Sequence, residues 1–310
     1  MNSKNKHFII CLTTFAAILF FVLVFMRSGK KKSSNMILPV ITASSSVIKE
    51  NTGSKPFLLQ ILGIEFVLIP KGTYIPGSSC GDKSPFDELP ARQERIDQDF
   101  YMSRFEITQS QWFAIMSQNP SFFNNVFVKQ NINMYNTKGV RTFNEHNAPV
   151  ENISWDDTQE YLRRLNALGD GHNFRLPTEL EWEYVATFAG KFKKSEPNIQ
   201  RWAAEAGILY SAMLGGMTMP VDSTKPNNFG VYGMDDNVRE WCQDTFQGHQ
   251  FANTSAASSD LKVTRGNCWI DPQNSSRTQR HFNLRTRKAS FIGFRIVLEF
   301  NSQSISDTDR

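Results

Sequence analysis

Three helix starts are written into this chain as capping boxes, and most of what lies between them cannot form a regular element. In a capping box a Ser or Thr hydroxyl accepts the amide three residues on, while that residue's side chain returns to the cap's own amide. Thr108 with Gln111 opens QWFAIM, and Ser154 with Asp157 opens a segment whose Leu162, Leu165 and Leu168 share one face before Gly169 stops it. Thr178 follows Pro177 and pairs with Glu181 ahead of ELEWEYVATFA, with Gly190 at the end. Residues 119–148 and 242–262 are too rich in Gly, Asn and Pro for regular structure. Residues 61–78 run apolar and alternate around Pro70-Lys71-Gly72, which predicts a β-hairpin turning there. The pattern predicts an α+β domain with few helices, short strands, much loop and no internal repeat. Loops of that extent need polar networks or metals to hold them.

The domain occupies residues 57–300, and its surroundings differ in kind. His7 to Met26 is an apolar run long enough to cross a bilayer as a helix, so residues 1–26 read as an uncleaved signal anchor. Residues 27–56, rich in Ser, Lys, Thr and Asn, read as a flexible tether, and 301–310 as a disordered polar tail. The formal charge of +4 is misleading, because Lys4, Lys6, Arg27, Lys30, Lys31 and Lys32 all lie in or beside the anchor and no acid does. The rest of the chain is therefore weakly acidic, which removes the electrostatic footprint of a nucleic-acid binder. Of the four cysteines, Cys11 lies in the apolar run. Cys80, Cys242 and Cys268 allow at most one disulfide among them.

Several ordered blocks resemble one family. FYMSRFEITQSQWFAIMSQNPSFF, APVENISWDDTQEYLRRLN, FRLPTELEWEYVA, PNNFGVYGMDDNVREWCQD and the closing RGNCWIDPQNSSRTQRHFNLRTRKASFIGFR are similar to the successive motifs of the formylglycine-generating enzyme, or sulfatase-modifying factor, family. The resemblance runs from about residue 64 to 297 and implies a C-type-lectin-like α+β fold. In catalytic members two cysteines five residues apart hold copper and oxidise a substrate cysteine. Aligned on Arg265-Gly266, those positions are Asp271 and Ser276. Copper(I) needs soft sulfur ligands and these offer hard oxygens, so no copper is expected. Cys268 does not supply the pair, since five residues beyond it stands Gln273. A disulfide between Cys242 and Cys268 and two buried thiols are both open.

The family also implies a calcium loop, which falls on Gly233 to Glu240. Its candidate ligands are Asp235, Asp236, the Val238 carbonyl and Glu240, and the expected side-chain ligand at 233 is missing. Glutamates at the start of the third helix are expected to serve structure, because the free amides there favour negative charge. Arg175, Glu181, Trp182, Arg265, Trp269 and Arg295 are expected to pin loops and fill the core, as are Trp155 and Trp241. An iron site wants two histidines and a carboxylate, and the only combination on offer is Asp271 with His281.

The expectation is a single-pass inner-membrane protein whose domain is a binding or accessory module for a peptide, protein or glycan in an envelope process. The positive-inside rule alone would leave the domain in the cytoplasm, while the resemblance to exported anchored relatives puts it in the periplasm, the reading taken here. The alternative is a non-copper, cofactor-dependent oxidase acting on a peptide or siderophore precursor.

Overall fold

The computed structural model describes residues 46–48, 58–76, 93–126, 144–168, 172–187, 217–246, 260–271 and 280–299. The chain divides into two units, Met1–Val40 and Ile41–Arg310. The first, with the predicted anchor, lies outside the described residues, as do Cys80, Ser276 and the tail. Among the described residues no helix is long and apolar enough to cross a membrane.

A six-stranded sheet runs β1 (Ser46–Ile48), β2 (Leu58–Ile61), β3 (Ile64–Ile69), β6 (Phe100–Ser103), β12 (Val297–Glu299) and β7 (Asn173–Arg175) in spatial order. Its central strands are covered on both faces, and β6 is buried at all four positions. Alternate residues of a strand point to opposite faces. Thus Ile64 and Phe66 enter one core, while Val67 and Ile69 enter a second. The first core is completed by α1 (Gln109–Met116) and α2 (Trp155–Asn166), the second by α3 (Glu179–Ala186). In the first, the Trp112 and Tyr161 rings stack 5.2 Å apart, and Phe294 meets both edge-on.

All three capping boxes form with both reciprocal bonds. The second and third helices stop earlier than the sequence suggests. The Asn166 side chain is stitched to the backbone of β7, with Nδ2 donating to the Phe174 carbonyl at 2.9 Å and Oδ1 accepting the Phe174 amide at 2.8 Å. α2 therefore ends there, and Leu168, expected on its buried face, is 51% exposed. α3 ends at Ala186 rather than near Gly190.

The hairpin also turns elsewhere. β2 and β3 pair with Ile61 opposite Ile64, so Leu62 and Gly63 form the two-residue loop, at φ of 52° and 75°. Two consecutive positive φ values fit the type I′ turn that matches strand twist, but Leu at the first position hides the signal. Pro70-Lys71 instead links β3 to β4 (Gly72–Tyr74), which pairs with β5 (Glu94–Ile96) in a separate two-stranded sheet.

A four-stranded sheet carries the rest, in the order β10 (Arg280–Leu284), β9 (Leu261–Arg265), β8 (Arg239–Thr245) and β11 (Ile292–Gly293). The stretch expected to be irregular from 242 thus continues as strand to Thr245, because its backbone pairs with β9. β11 lies parallel to β8, and after the three residues Phe294 to Ile296 the chain has crossed into β12 of the large sheet. The crossing is tight. A Cβ on Gly293 would lie 2.6 Å from the Val150 carbonyl oxygen and 2.9 Å from Val238 Cγ2, so only glycine fits there.

Candidate functional site

β9 ends at Arg265, and the chain turns through Gly266 to Asp271, where the Asp271 amide donates to the Cys268 carbonyl at 2.9 Å. The Asp271 carboxylate folds back over this turn. Its Oδ2 accepts the Cys268 amide at 2.8 Å and the Cys268 thiol at 3.0 Å. From β8, Arg239 donates Nη2 to Oδ1 at 2.5 Å and Nε to Oδ2 at 3.3 Å. The guanidinium also lies 5.2 Å from the centre of the Phe291 ring. Both members of the ion pair are largely buried, at 15% and 11% side-chain exposure. Burial works to raise the Asp271 pKa, but the bonds from Arg239 and Cys268 outweigh it and hold the carboxyl below its usual value. Burial, and then the bond to Asp271, push the Cys268 thiol up to about 12.

These facts fix what the turn can do. Asp271 is a carboxylate spent on an arginine and on its own turn, and Cys268 is a thiol with no tendency to become the thiolate that metals and nucleophilic chemistry require. Cys242 and Cys268 are both buried and unpaired, so of the two alternatives left by the sequence the structure has free thiols and no disulfide between them. Ser276 lies outside the described residues. His281, on β10, is pushed down to about 4 by burial and by the charge of Arg239, so its imidazole is neutral, and Nε2 is buried without a hydrogen-bond partner. Among the described residues no three His, Cys, Asp or Glu side chains are grouped to hold a metal ion.

The expected calcium ligand Glu240 proves to be occupied. Arg295 donates Nε to Oε2 at 2.6 Å and Nη2 to Oε1 at 2.7 Å, and Trp182 Nε1 donates to Oε2 at 2.7 Å. Glu240 and Arg295 are both fully buried. Asn237 on the same loop bonds Glu106 and the Met219 backbone. At Gly233 the space for a side chain is taken by the Glu106 carboxylate, 2.6 Å from where a Cβ would stand. The residues present do not fit a calcium ion held by Glu240 and a ligand at 233. Asp235, Asp236 and the Val238 carbonyl are the turn's other oxygens.

The remaining expected residues join these networks. Arg175 grips Glu181 with two bonds of 2.7 Å and Glu299 at 2.6 Å, while Glu181 also caps α3 through the Thr178 amide. Arg265 pairs with Glu179 and Glu183 and lies 5.7 Å from the centre of the Trp182 ring. Beyond the Ser103 and Tyr232 carbonyls it also meets, Arg295 ties the two sheets together through Glu240. Trp182 and Trp241 are core, but Trp155 and Trp269 are only partly buried. Lys262 Nζ sits 4.2 Å from the Trp155 ring centre, and Trp269 bonds the Ser290 carbonyl.

Sequence reasoning missed three things. Arg239 is 32 residues from Asp271, and nothing local marks the pair. Nothing in the sequence marks Glu106 and Glu151 as buried acids. Beside the turn stands an apolar wall, where Phe122 meets Phe123 and Phe123 meets Trp269, each edge to face. Phe122, Val126 and Ile270 are 47%, 62% and 48% exposed. The run Ser121-Phe122-Phe123 in a loop was the available signal.

With that geometry in hand, comparison with known proteins gives a consistent picture. Residues 60–300 match the family described as the Sulfatase-modifying factor enzyme 1-like domain. The chain is 28% identical over 215 residues to the chaperone protein LppX of Paenibacillus barcinonensis, covering 57% of this chain and 72% of that one. It is 30% identical over 142 residues to the inactive C-alpha-formylglycine-generating enzyme 2 of Mus musculus, covering 43% of this chain and 41% of the relative. The chain spans about two fifths of the length of several other curated relatives. Among solved structures, PvdO from Pseudomonas aeruginosa superposes with a TM-score of 0.56 at 23% identity, over 76% of this chain and 94% of that one, which shows the shared α+β fold.

Proposed function

Since the chain belongs to the sulfatase-modifying factor family, we propose that it keeps the family's fold without the copper–thiolate reaction and serves as a membrane-anchored binding or accessory module in an envelope process. The observation that carries this reading is the Asp271 carboxylate. At a position where catalytic members have a metal-binding thiolate, both of its oxygens are engaged by Arg239 and the 268–271 turn. A catalytic pocket needs a group whose bonds form with substrate or cofactor, and here those bonds are made within the protein. The exposed Phe122, Val126 and Ile270 beside this turn support a peptide or protein partner. The names of two relatives, a chaperone and an inactive enzyme, agree with a role in binding. The apolar run His7 to Met26 supports an inner-membrane anchor, and the resemblance to exported anchored relatives supports the periplasmic side for the domain.

The test is direct. The intact chain, loaded with copper(I) and incubated with oxygen and a C-x-P-x-R peptide, is expected to leave the peptide's mass unchanged. Formylglycine in the product overturns the proposal. The second reading, a non-copper oxidase, draws on the neutral His281 with its unpartnered Nε2. It requires a stoichiometric transition metal after purification in chelator-free buffer, where the binding module carries calcium or no metal.

A further inference from the structure

The wall beside the turn hangs on one buried acid. Residues 119–126 join no strand ladder, and side chains from neighbouring segments hold them instead. Gln109 Nε2 donates to the Phe123 carbonyl at 2.8 Å, Asn152 Nδ2 to the Pro120 carbonyl at 2.9 Å, and Glu145 Oε1 accepts the Asn125 amide at 2.7 Å. The innermost of these holds is Glu151. Its side chain is fully buried, its Oε1 accepts the Phe123 amide at 2.8 Å, and its Oε2 has no hydrogen-bond partner among the described residues. Its own amide donates to Ser121 Oγ at 3.3 Å.

Among the described residues no cation stands beside this carboxylate, and a carboxylate so placed with one oxygen unsatisfied is expensive to bury, whereas a carboxylic acid is much less so. The titratable groups on the packed segments give no relief. Glu145 and His146 precede Glu151 on its own segment, and Glu145 is itself an acid holding the same loop. Beyond Trp269, Asp271 is neutralised by Arg239. Among the described residues the groups acting on the Glu151 carboxylate are the Phe122 and Phe123 amides, which belong to the loop it holds.

We propose that Glu151 is a proton-operated clamp: protonated, it holds residues 121–126 and the Phe122–Phe123–Trp269 wall in place, and its ionisation loosens that segment. The sign follows from burial, which pushes the Glu151 pKa from the ordinary carboxylate range to about 8 against the pull of the two amides. A closed segment with the raised value and an open one with an ordinary value differ in proton affinity between those limits. Opening therefore becomes easier as pH rises, by about tenfold per pH unit, and levels off once the closed form also ionises. The clamp does not depend on any partner docking at the wall, so it is tested with the protein alone.

The experiment is hydrogen exchange of peptides covering 119–126 in the intact chain, corrected for the intrinsic pH dependence of exchange. Protection is expected to fall about tenfold per pH unit towards pH 8 and then to flatten, while peptides from β3 hold steady. Glu151→Gln, which cannot ionise, is expected to abolish the slope. Equal slopes in both proteins, or none in the wild type, overturn the proposal. If the variant does not fold, the wild type still decides the matter through its buried glutamate carboxyl resonance in carbon-13 NMR. A midpoint near 8 that moves with the Phe123 amide supports the clamp, and a buried carboxyl titrating in the ordinary range sinks it.

Discussion

Removing the Glu240 carboxylate tests whether the centre of this fold is held by an ion pair or by a metal. Arg295 and Glu240 are both fully buried and share two bonds of 2.6 and 2.7 Å, and Glu240 also takes the Trp182 indole N–H at 2.7 Å. Glu240→Ala leaves a guanidinium in the interior facing a cavity. Breaking a buried pair from one side costs about 3–5 kcal/mol. Stranding the indole donor would add about 1–3 kcal/mol in isolation. The two overlap, because water entering the cavity serves both, so a total of about 4 kcal/mol is the working figure. That is a large fraction of the roughly 5–15 kcal/mol by which a domain is stable. Glu240→Gln keeps the shape and an acceptor, and Glu106 stays close enough to act electrostatically on Arg295, so its loss should be smaller. The assay is urea unfolding of the three proteins, each with calcium and with EDTA. Two results refute the reasoning. A loss below about 1 kcal/mol for Glu240→Ala would mean that the pair is not structural. EDTA lowering wild-type stability to that of the variant, while leaving the variant unaffected, would mean that Glu240 acts through calcium.

Two further outcomes follow from single contacts. Gly233→Ala sets a methyl group 2.6–2.7 Å from the buried Glu106 carboxylate at a φ of 65°, and should cost about 1–3 kcal/mol in the same urea assay; a neutral result would contradict the close approach. Thr178→Ala removes the hydroxyl that accepts the Glu181 amide at 3.2 Å and should cost about 1 kcal/mol, with Thr178→Ser retaining most of it, and equal losses in the two variants would argue against the cap.

What the sequence settles by itself is local. The starts of α1, α2 and α3 are legible because each capping box closes over three residues, and the family motifs carry the α+β fold along with them. That Asp271 and Ser276 offer oxygen rather than sulfur is legible too, since it needs only the identities of those residues. Element ends and partners are not local. α2 stops where Asn166 is captured by Phe174, eight residues on, and the first hairpin turns at a leucine whose φ the sequence does not announce.

The site divides in the same way. That Asp271 could not hold copper followed from its chemistry, but that it is engaged by Arg239 came only from β9 folding back against β8. Glu240 read as a free oxygen ligand until β11 came alongside β8 and the chain carried Arg295 on to it. Nothing local marks Glu151, and only the loop closing over it makes it a buried acid. In each case the deciding quantity is burial. A carboxylate's charge is written in the sequence, but its solvation, its partner and so its work are set by which distant segment the fold brings against it.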